Sequence, residues 1–486
     1  MTNDRFKPSL SGLQPPFALK QLAAATWLVA ASLSCLAQTA MPTPASAAAP
    51  AQTQAVPVDP KKATEPTLTP ATKDDKKTIV LDQRPVPPPP APRQPDATEQ
   101  DSTTISAALA DLALDLMQGQ SAGTGNAQVN SVVSSVSVAS ALGMVHAGTS
   151  DAGAREIGAL LLGTTPRLQK RAFTSELPNL LSRLSQTGSR TGAVIMANRV
   201  WMDQGVVPSV PPSYAATVAK RFKADGAVLQ FSKAADARQA INAWVSDKTG
   251  KRIPDLMPEG SITPNTKLVV TNAIYFKSPW EKPFDAAQTV AKPFFTDRDT
   301  SKPVPTMVDE RSVRTGLVRN VTVFEVPFVG KEFSLLVGMP PVGHTLDAFE
   351  KDMEGATLTK WSAPLKATTC SFELPKFTIA PASKPLKTVL QDLHVKTIFG
   401  PDADLSAMLG SADKGVYVDN IYHSATIIID ELGGEAAAAT GATAVSKGFS
   451  MPAPVCAVNR PFIFAIVHTA SGAPLFVGKV ADPTQH

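Results

Sequence analysis

Cysteine and histidine are both scarce in this sequence, and neither is clustered. Three cysteines stand at Cys35, Cys370 and Cys456 in 486 residues, with no CxxC pair and no histidine at zinc-finger spacing. That pattern argues against a structural metal. The six histidines are scattered, with none in an HExxH motif and none beside paired carboxylates, so metalloprotease chemistry has no ligand set. An excess of one charge is also lacking: 46 Lys and Arg face 42 Asp and Glu, a formal net charge of +4 with no long basic block. A nucleic-acid partner is therefore not expected, and neither is a cofactor.

A hydrophobic run long enough to span a membrane is missing too. The apolar stretch from Leu22 to Ala37, preceded by Arg5, Lys7 and Lys20 and followed by the small residues Ala45-Ser46-Ala47, is short for a spanning helix and reads as a cleaved export signal over residues 1–47. Acylation at Cys35, leaving a lipid-anchored protein, is the alternative, although Ser32-Leu33-Ser34 fits a lipobox poorly; retention as an uncleaved anchor is a third reading. Residues 48–100 are rich in Pro, Ala, Thr, Lys and Gln, lack aromatics, and end in Pro87-Pro88-Pro89-Pro90. Such a segment cannot bury enough apolar surface to fold and is predicted to be an extended linker. The expected location is outside the cytoplasm: secreted, periplasmic or tethered to the cell surface.

From Asp101 to His486 the pattern stays globular, with no second Pro-rich break, and predicts one large domain. Ile105, Leu109, Leu112 and Leu116 recur at helical spacing and predict an opening amphipathic helix. Val136 to Ala147 and Ala234 to Lys248 predict two more. Leu268 to Phe276, Ser334 to Met339 and Thr426 to Ile429 are β-branched or aromatic and turn-bounded, which predicts strands. Helices gather early and strands late, an α+β arrangement. Gly119-Gln120-Ser121-Ala122-Gly123 spells the G-x-S-x-G of a hydrolase nucleophile, but a helix precedes it where a strand is required, so the motif is set aside.

The most informative stretch is Asp430-Glu431-Leu432-Gly433-Gly434-Glu435, followed by Ala436, Ala437, Ala438, Ala439, Thr440, Gly441, Ala442, Thr443, Ala444 and Val445. Composition alone describes a flexible loop. At a strand's period of two, however, Gly434, Ala436, Ala438, Thr440, Ala442 and Ala444 share one face, and all are small. The only charge, Glu435, falls on the other face, and no proline interrupts a ladder before Pro452. Such a segment can enter a sheet already packed on one side.

Here the chain resembles the serpins, over essentially all of residues 101–486. Asp430 through Ala439 looks like their hinge, and Val458-Asn459-Arg460-Pro461-Phe462-Ile463-Phe464-Ala465-Ile466 matches their C-terminal signature. Ser134-Ser135-Val136-Ser137-Val138, Asn198-Arg199-Val200-Trp201, Ile241-Asn242-Ala243-Trp244-Val245, Thr271-Asn272-Ala273-Ile274-Tyr275-Phe276-Lys277, Leu374-Pro375-Lys376-Phe377 and Pro474-Leu475-Phe476-Val477-Gly478-Lys479-Val480 follow in family order. The resemblance, to an exported bacterial-type member, implies three β-sheets surrounded by eight or nine helices, with an exposed reactive-centre loop. It implies a monomer that inhibits serine proteases as a suicide substrate and is not itself an enzyme.

By position, the resemblance makes Glu431, Gly433, Gly434, Glu435 and Ala436 to Thr440 the hinge. Ser134, Ser137, Asn272 and His423 become the polar cluster beneath the opening of the main sheet, and Trp280 stands at its top. Counting the family's spacing of about seventeen residues, with Glu431 as the first, reaches Lys447, with Lys447-Gly448 as the cleaved bond. Lys447 suits the acidic pocket of a trypsin-like protease; Phe449 or Met451 would suit a chymotrypsin-like one. Gly434 departs from the Thr or Ser of inhibitory members and gives the exposed loop added freedom. Cys370 and Cys456 fall on strands that the fold makes neighbours, so a disulfide is open to them, with two buried thiols as the expectation. A non-inhibitory serpin, acting as a binding or chaperone-like protein, is the rival reading; its hinge would carry proline or bulky charge on the inner face.

Overall fold

Alternation of apolar side chains sets the architecture at its centre. The computed structural model describes residues 97–122, 129–162, 170–191, 194–410, 415–434 and 453–485. All of them belong to one compact unit. The expected signal at 1–47, Cys35, and most of the expected linker lie outside the described residues; the first helix, Ala97–Ala122, begins four residues ahead of the expected boundary at Asp101.

The strand Leu268–Phe276 is buried at every position, and its two faces serve two different cores. Leu268, Val270, Ile274 and Phe276 join the main cluster with helix Ser135–Gly148, whereas Val269 and Ala273 pack with Ala237, Ile241 and Val245 of helix Ala234–Lys248. A strand covered on both faces has no solvent side. Ser134 starts the Ser135–Gly148 helix, its side chain accepting from the backbone N–H of Ser137, as a good N-cap does.

Hydrogen bonding groups the described strands into three sheets of nine, six and two. Ten α-helices among the described residues accompany them, six of eleven residues or longer. The α+β, three-sheet expectation holds. In the six-stranded sheet the order is Phe377–Ile379, Asn420–Ile429, Leu268–Phe276, Val194–Asp203 and Asp225–Leu229, with Lys384–Pro385 also pairing with Asn420–Ile429. The sequence predicted the second of these only from Thr426, because its first half, Asn-Ile-Tyr-His-Ser-Ala, mixes polar groups with apolar ones.

Two of these central strands, Asn420–Ile429 and Leu268–Phe276, are parallel, in register from Asn420 opposite Val269 to Thr426 opposite Tyr275. Above Thr426 they part, and Ile427 to Ile429 pair instead with Phe377–Ile379. A parallel ladder is slightly less stable per residue than an antiparallel one, and this seam is the parallel pair at the centre of the sheet, the other, Val194–Asp203 with Asp225–Leu229, lying at its edge.

The cysteine expectation is corrected. Cys370 and Cys456 are joined as a disulfide, with Cα atoms 5.9 Å apart. Strands Lys366–Pro375 and Val455–Ala457 run side by side, which brings the two Cβ atoms within bridging distance. Ser121 of the discarded hydrolase motif lies in the last turn of helix Ala97–Ala122, not on a strand-to-helix turn.

Candidate functional site

The four residues assigned to the cluster beneath the opening do meet. Asn272 sits at the middle of the central strand, directly opposite His423 on the parallel neighbour, and strand parity turns both toward helix Ser135–Gly148. The Asn272 amide donates to the carbonyl and hydroxyl oxygens of Ser137, each at 2.6 Å, and to Asn198 Oδ1 at 2.7 Å. Its own Oδ1 bonds His423 Nδ1. His423 Nε2 accepts from the backbone N–H of Ser134 at 3.2 Å.

This arrangement determines the tautomer. Because Nε2 accepts and Asn272 Oδ1 can only accept, the proton must sit on Nδ1 and the ring must be neutral. Burial lowers the His423 pKa to about 4, against a smaller raising contribution from Asn272. His423 thus bridges the parallel seam as a neutral, fully partnered ring. Asn198, whose amide donates onward to Ser140 Oγ at 3.1 Å, is a member that sequence reasoning quoted within a motif but did not place here.

At the top of the seam the chain leaves Ile429 and reverses. Asp430 N–H donates to Gly433 O at 3.0 Å, and Asp430 Oδ1 accepts from the N–H groups of Leu432 and Gly433. Gly433 has φ of 125°, and a Cβ there would lie 2.4 Å from Ser278 O. Only glycine fits both demands. Gly433 and Gly434 then pair antiparallel with Pro279 and Ser278.

Trp280 lies against the Asp430–Gly433 turn. The ring is buried and stacks on Phe328 at 4.5 Å, its Nε1 donates to Asp430 O at 2.8 Å, and its N–H donates to Leu432 O at 2.9 Å. Glu431 is held by Lys376 at 2.8 Å and by the Thr289 hydroxyl at 2.7 Å. Burial works to raise its pKa, but these partners outweigh burial and leave it below the usual carboxylate value. Lys376 and Thr289 were not foreseen, since nothing local in the sequence ties either to residue 431.

Glu435, Ala436, Ala437, Ala438, Ala439, Thr440, Lys447, Gly448, Phe449 and Met451 lie outside the described residues. Among the described residues no group of three or more His, Cys, Asp or Glu could hold a metal ion.

A family profile described as "Serpin (serine protease inhibitor)" matches residues 107–483. Human Serpin B9 is 32% identical over 364 residues, spanning 74% of this chain and 94% of that protein. The bovine leukocyte elastase inhibitor is 30% identical over 394 residues, spanning 79% of this chain and 100% of that protein. The solved structure of a Manduca sexta serine protease inhibitor, Serpin-12, covers 79% of this chain and 99% of its own, with a TM-score of 0.66 and 26% identity. These relatives are animal proteins, and they lend the exported and bacterial-type expectations no support. A profile match across nearly the whole described region, together with relatives at 30 to 32% identity covered over almost their full length, establishes that this chain belongs to the serpin family.

Proposed function

We propose that this chain inhibits serine proteases as a suicide substrate, by inserting its cut loop between Asn420–Ile429 and Leu268–Phe276. One observation carries the reading: the new strand has already started. Gly433 and Gly434 lie antiparallel against Pro279 and Ser278, immediately beyond the point where the two parallel strands part. Extending that register after cleavage puts Ala436 opposite Phe276, Ala438 opposite Ile274, Thr440 opposite Asn272 and Ala444 opposite Leu268. The small-residue face then meets the main core, and the Thr440 hydroxyl arrives where the His423–Asn272 bond must part.

The energetics run the same way. A strand entering from the top is antiparallel to both neighbours and replaces one parallel ladder with two antiparallel ones. At about 0.2 to 1 kcal/mol per cross-strand pair, the gain is on the order of 10 kcal/mol. A protease held as an acyl-enzyme at the loop's cut end would be dragged the length of the sheet. Loss of a single oxyanion-hole donor alone slows such an enzyme by about 10² to 10³, so distortion of the docked active site strands the ester.

Lys447 is the proposed recognition residue and Lys447-Gly448 the bond. The extended register brings Lys447 opposite Asn265, three residues beyond the end of Leu268–Phe276. A trypsin-like target follows; a chymotrypsin-like target requires cleavage after Phe449 or Met451, and the bovine relative's name, an elastase inhibitor, is a precedent for a target that is not trypsin-like. Export is also proposed, resting on the signal-like residues 1–47 and on the Cys370–Cys456 disulfide, which an oxidising compartment preserves.

Incubation with trypsin followed by boiling and denaturing electrophoresis tests the proposal. A covalent band of summed mass is expected, with mass spectrometry of the released peptide beginning at Gly448. Complete conversion to cut protein with no covalent band would reject inhibition, and a peptide beginning elsewhere would reject Lys447.

A further inference from the structure

Away from the seam, the fold encloses a second feature for which loop insertion has no use. A cavity of about 740 Å³ opens between the turn after strand Val290–Phe295, the segment from Pro340 to Asp347, and Asn459 to Pro461. That volume lies in the range of small-molecule sites. Its apolar lining includes Pro340, Leu346, Pro461 and Ala481. At its mouth Phe295 is 41% exposed and Val342 75% exposed. Large apolar side chains left in water beside a cavity favour an apolar occupant.

The charges are unequal in their commitments. Asp347 is within 3.7 Å of Lys479, and Asp297 accepts from the Arg298 backbone N–H. Arg460 is half-buried; its Nε donates to Pro340 O at 3.2 Å and its Nη1 to Asn459 Oδ1 at 3.4 Å. No carboxylate among the described residues pairs with it, and burial lowers its pKa without a compensating acid. Its remaining donors are free for an anion, and a guanidinium binds a carboxylate in a two-pronged geometry.

We propose that this cavity binds a small amphipathic carboxylate, with the acid on Arg460 and the apolar body between Phe295, Leu346 and Pro461. Occupancy would brace the chain just beyond the reactive loop, because Phe295 N–H already donates to Asn459 O at 2.8 Å and Val455–Ala457 lies immediately upstream. The site does not depend on loop insertion.

Titration calorimetry of the full-length protein with 2-naphthoate and with the uncharged 2-naphthalenemethanol tests it. Naphthoate is expected to bind once and saturably, at least tenfold tighter than the alcohol, and to raise the melting temperature. Arg460→Gln should abolish the preference for the acid. Val342→Asp, at a position 75% exposed, should weaken naphthoate severalfold. Absence of saturable binding, equal binding of acid and alcohol, or binding indifferent to both substitutions would overturn the assignment.

Discussion

Acid should loosen the seam through His423, by an amount that can be worked from the structure. The neutral ring donates from Nδ1 to Asn272 and accepts at Nε2 from Ser134 N–H. Protonation would set a second N–H against the Ser134 N–H. The unfolded chain takes up this proton near the ordinary histidine value of 6.5, the folded protein only near about 4. Between those values the unfolded state binds more protons, so the stability contributed by this residue is complete above pH 6.5 and is lost as pH falls toward 4. The slope is about 1.4 kcal/mol per pH unit for one proton, or ~3 kcal/mol across the window. His146, stacked on Phe173 and also held down to about 4, mainly by burial, adds its own slope. The variant His423→Gln isolates the latch, since its amide keeps one acceptor and one donor while His146 is unchanged. Urea unfolding of both proteins from pH 7.5 to 4.5 should show the wild type losing its advantage over the variant at about 1.4 kcal/mol per pH unit below 6.5. Parallel pH profiles would refute the neutral, buried latch.

Other perturbations have equally definite outcomes. Asn272→Ala strands the His423 Nδ1–H and Asn198 Oδ1 without partners, and should cost about 2 to 5 kcal/mol in urea unfolding at pH 7.5. Ala438→Arg would carry a charge into the core face during insertion; the intact protein should melt normally, while trypsin cuts it without forming a covalent complex. Gly434→Arg is a poorer probe of insertion, because Gly434 is already buried against Phe276 and Ser278 and the intact protein would suffer too. Gly433→Ala forces a Cβ onto Ser278 O and should lower the melting temperature while leaving the His423 pH profile unchanged. Reducing Cys370–Cys456, a pair 86 residues apart, should cost about 4 to 5 kcal/mol on a chain-entropy account and speed amide exchange in Val455–Ala457.

Much of the hinge could be read in the sequence because it depends on local periodicity. Small residues on alternate positions from Gly434 to Ala444 announce a strand-competent loop before any fold is known. Helix Ala234–Lys248 and strand Leu268–Phe276 were likewise visible, as periods of 3.6 residues and as a run of buried β-branched residues. Asn420 to Ala425 escaped because its burial comes from neighbours on both sides, which no short window contains. At Cys370 and Cys456 the resemblance already implied neighbouring strands, but the expectation of two buried thiols failed because the sequence does not fix the register that sets the sulfurs within bonding distance.

The amino-acid sequence by itself determined the family, the α+β class, the small-residue face of the loop, and which side chains could form the latch. Only the tertiary structure decided that His423 bonds Asn272 while accepting from Ser134, that Lys376 and Thr289 hold Glu431, that a disulfide pins Val455–Ala457, and that an apolar cavity forms beside Arg460. The division has one cause. Periodicity and motif spacing are properties of neighbours along the chain, whereas strand register and hydrogen-bond partnership depend on residues brought together from many tens to hundreds of positions away, and their geometry exists only once the core has packed.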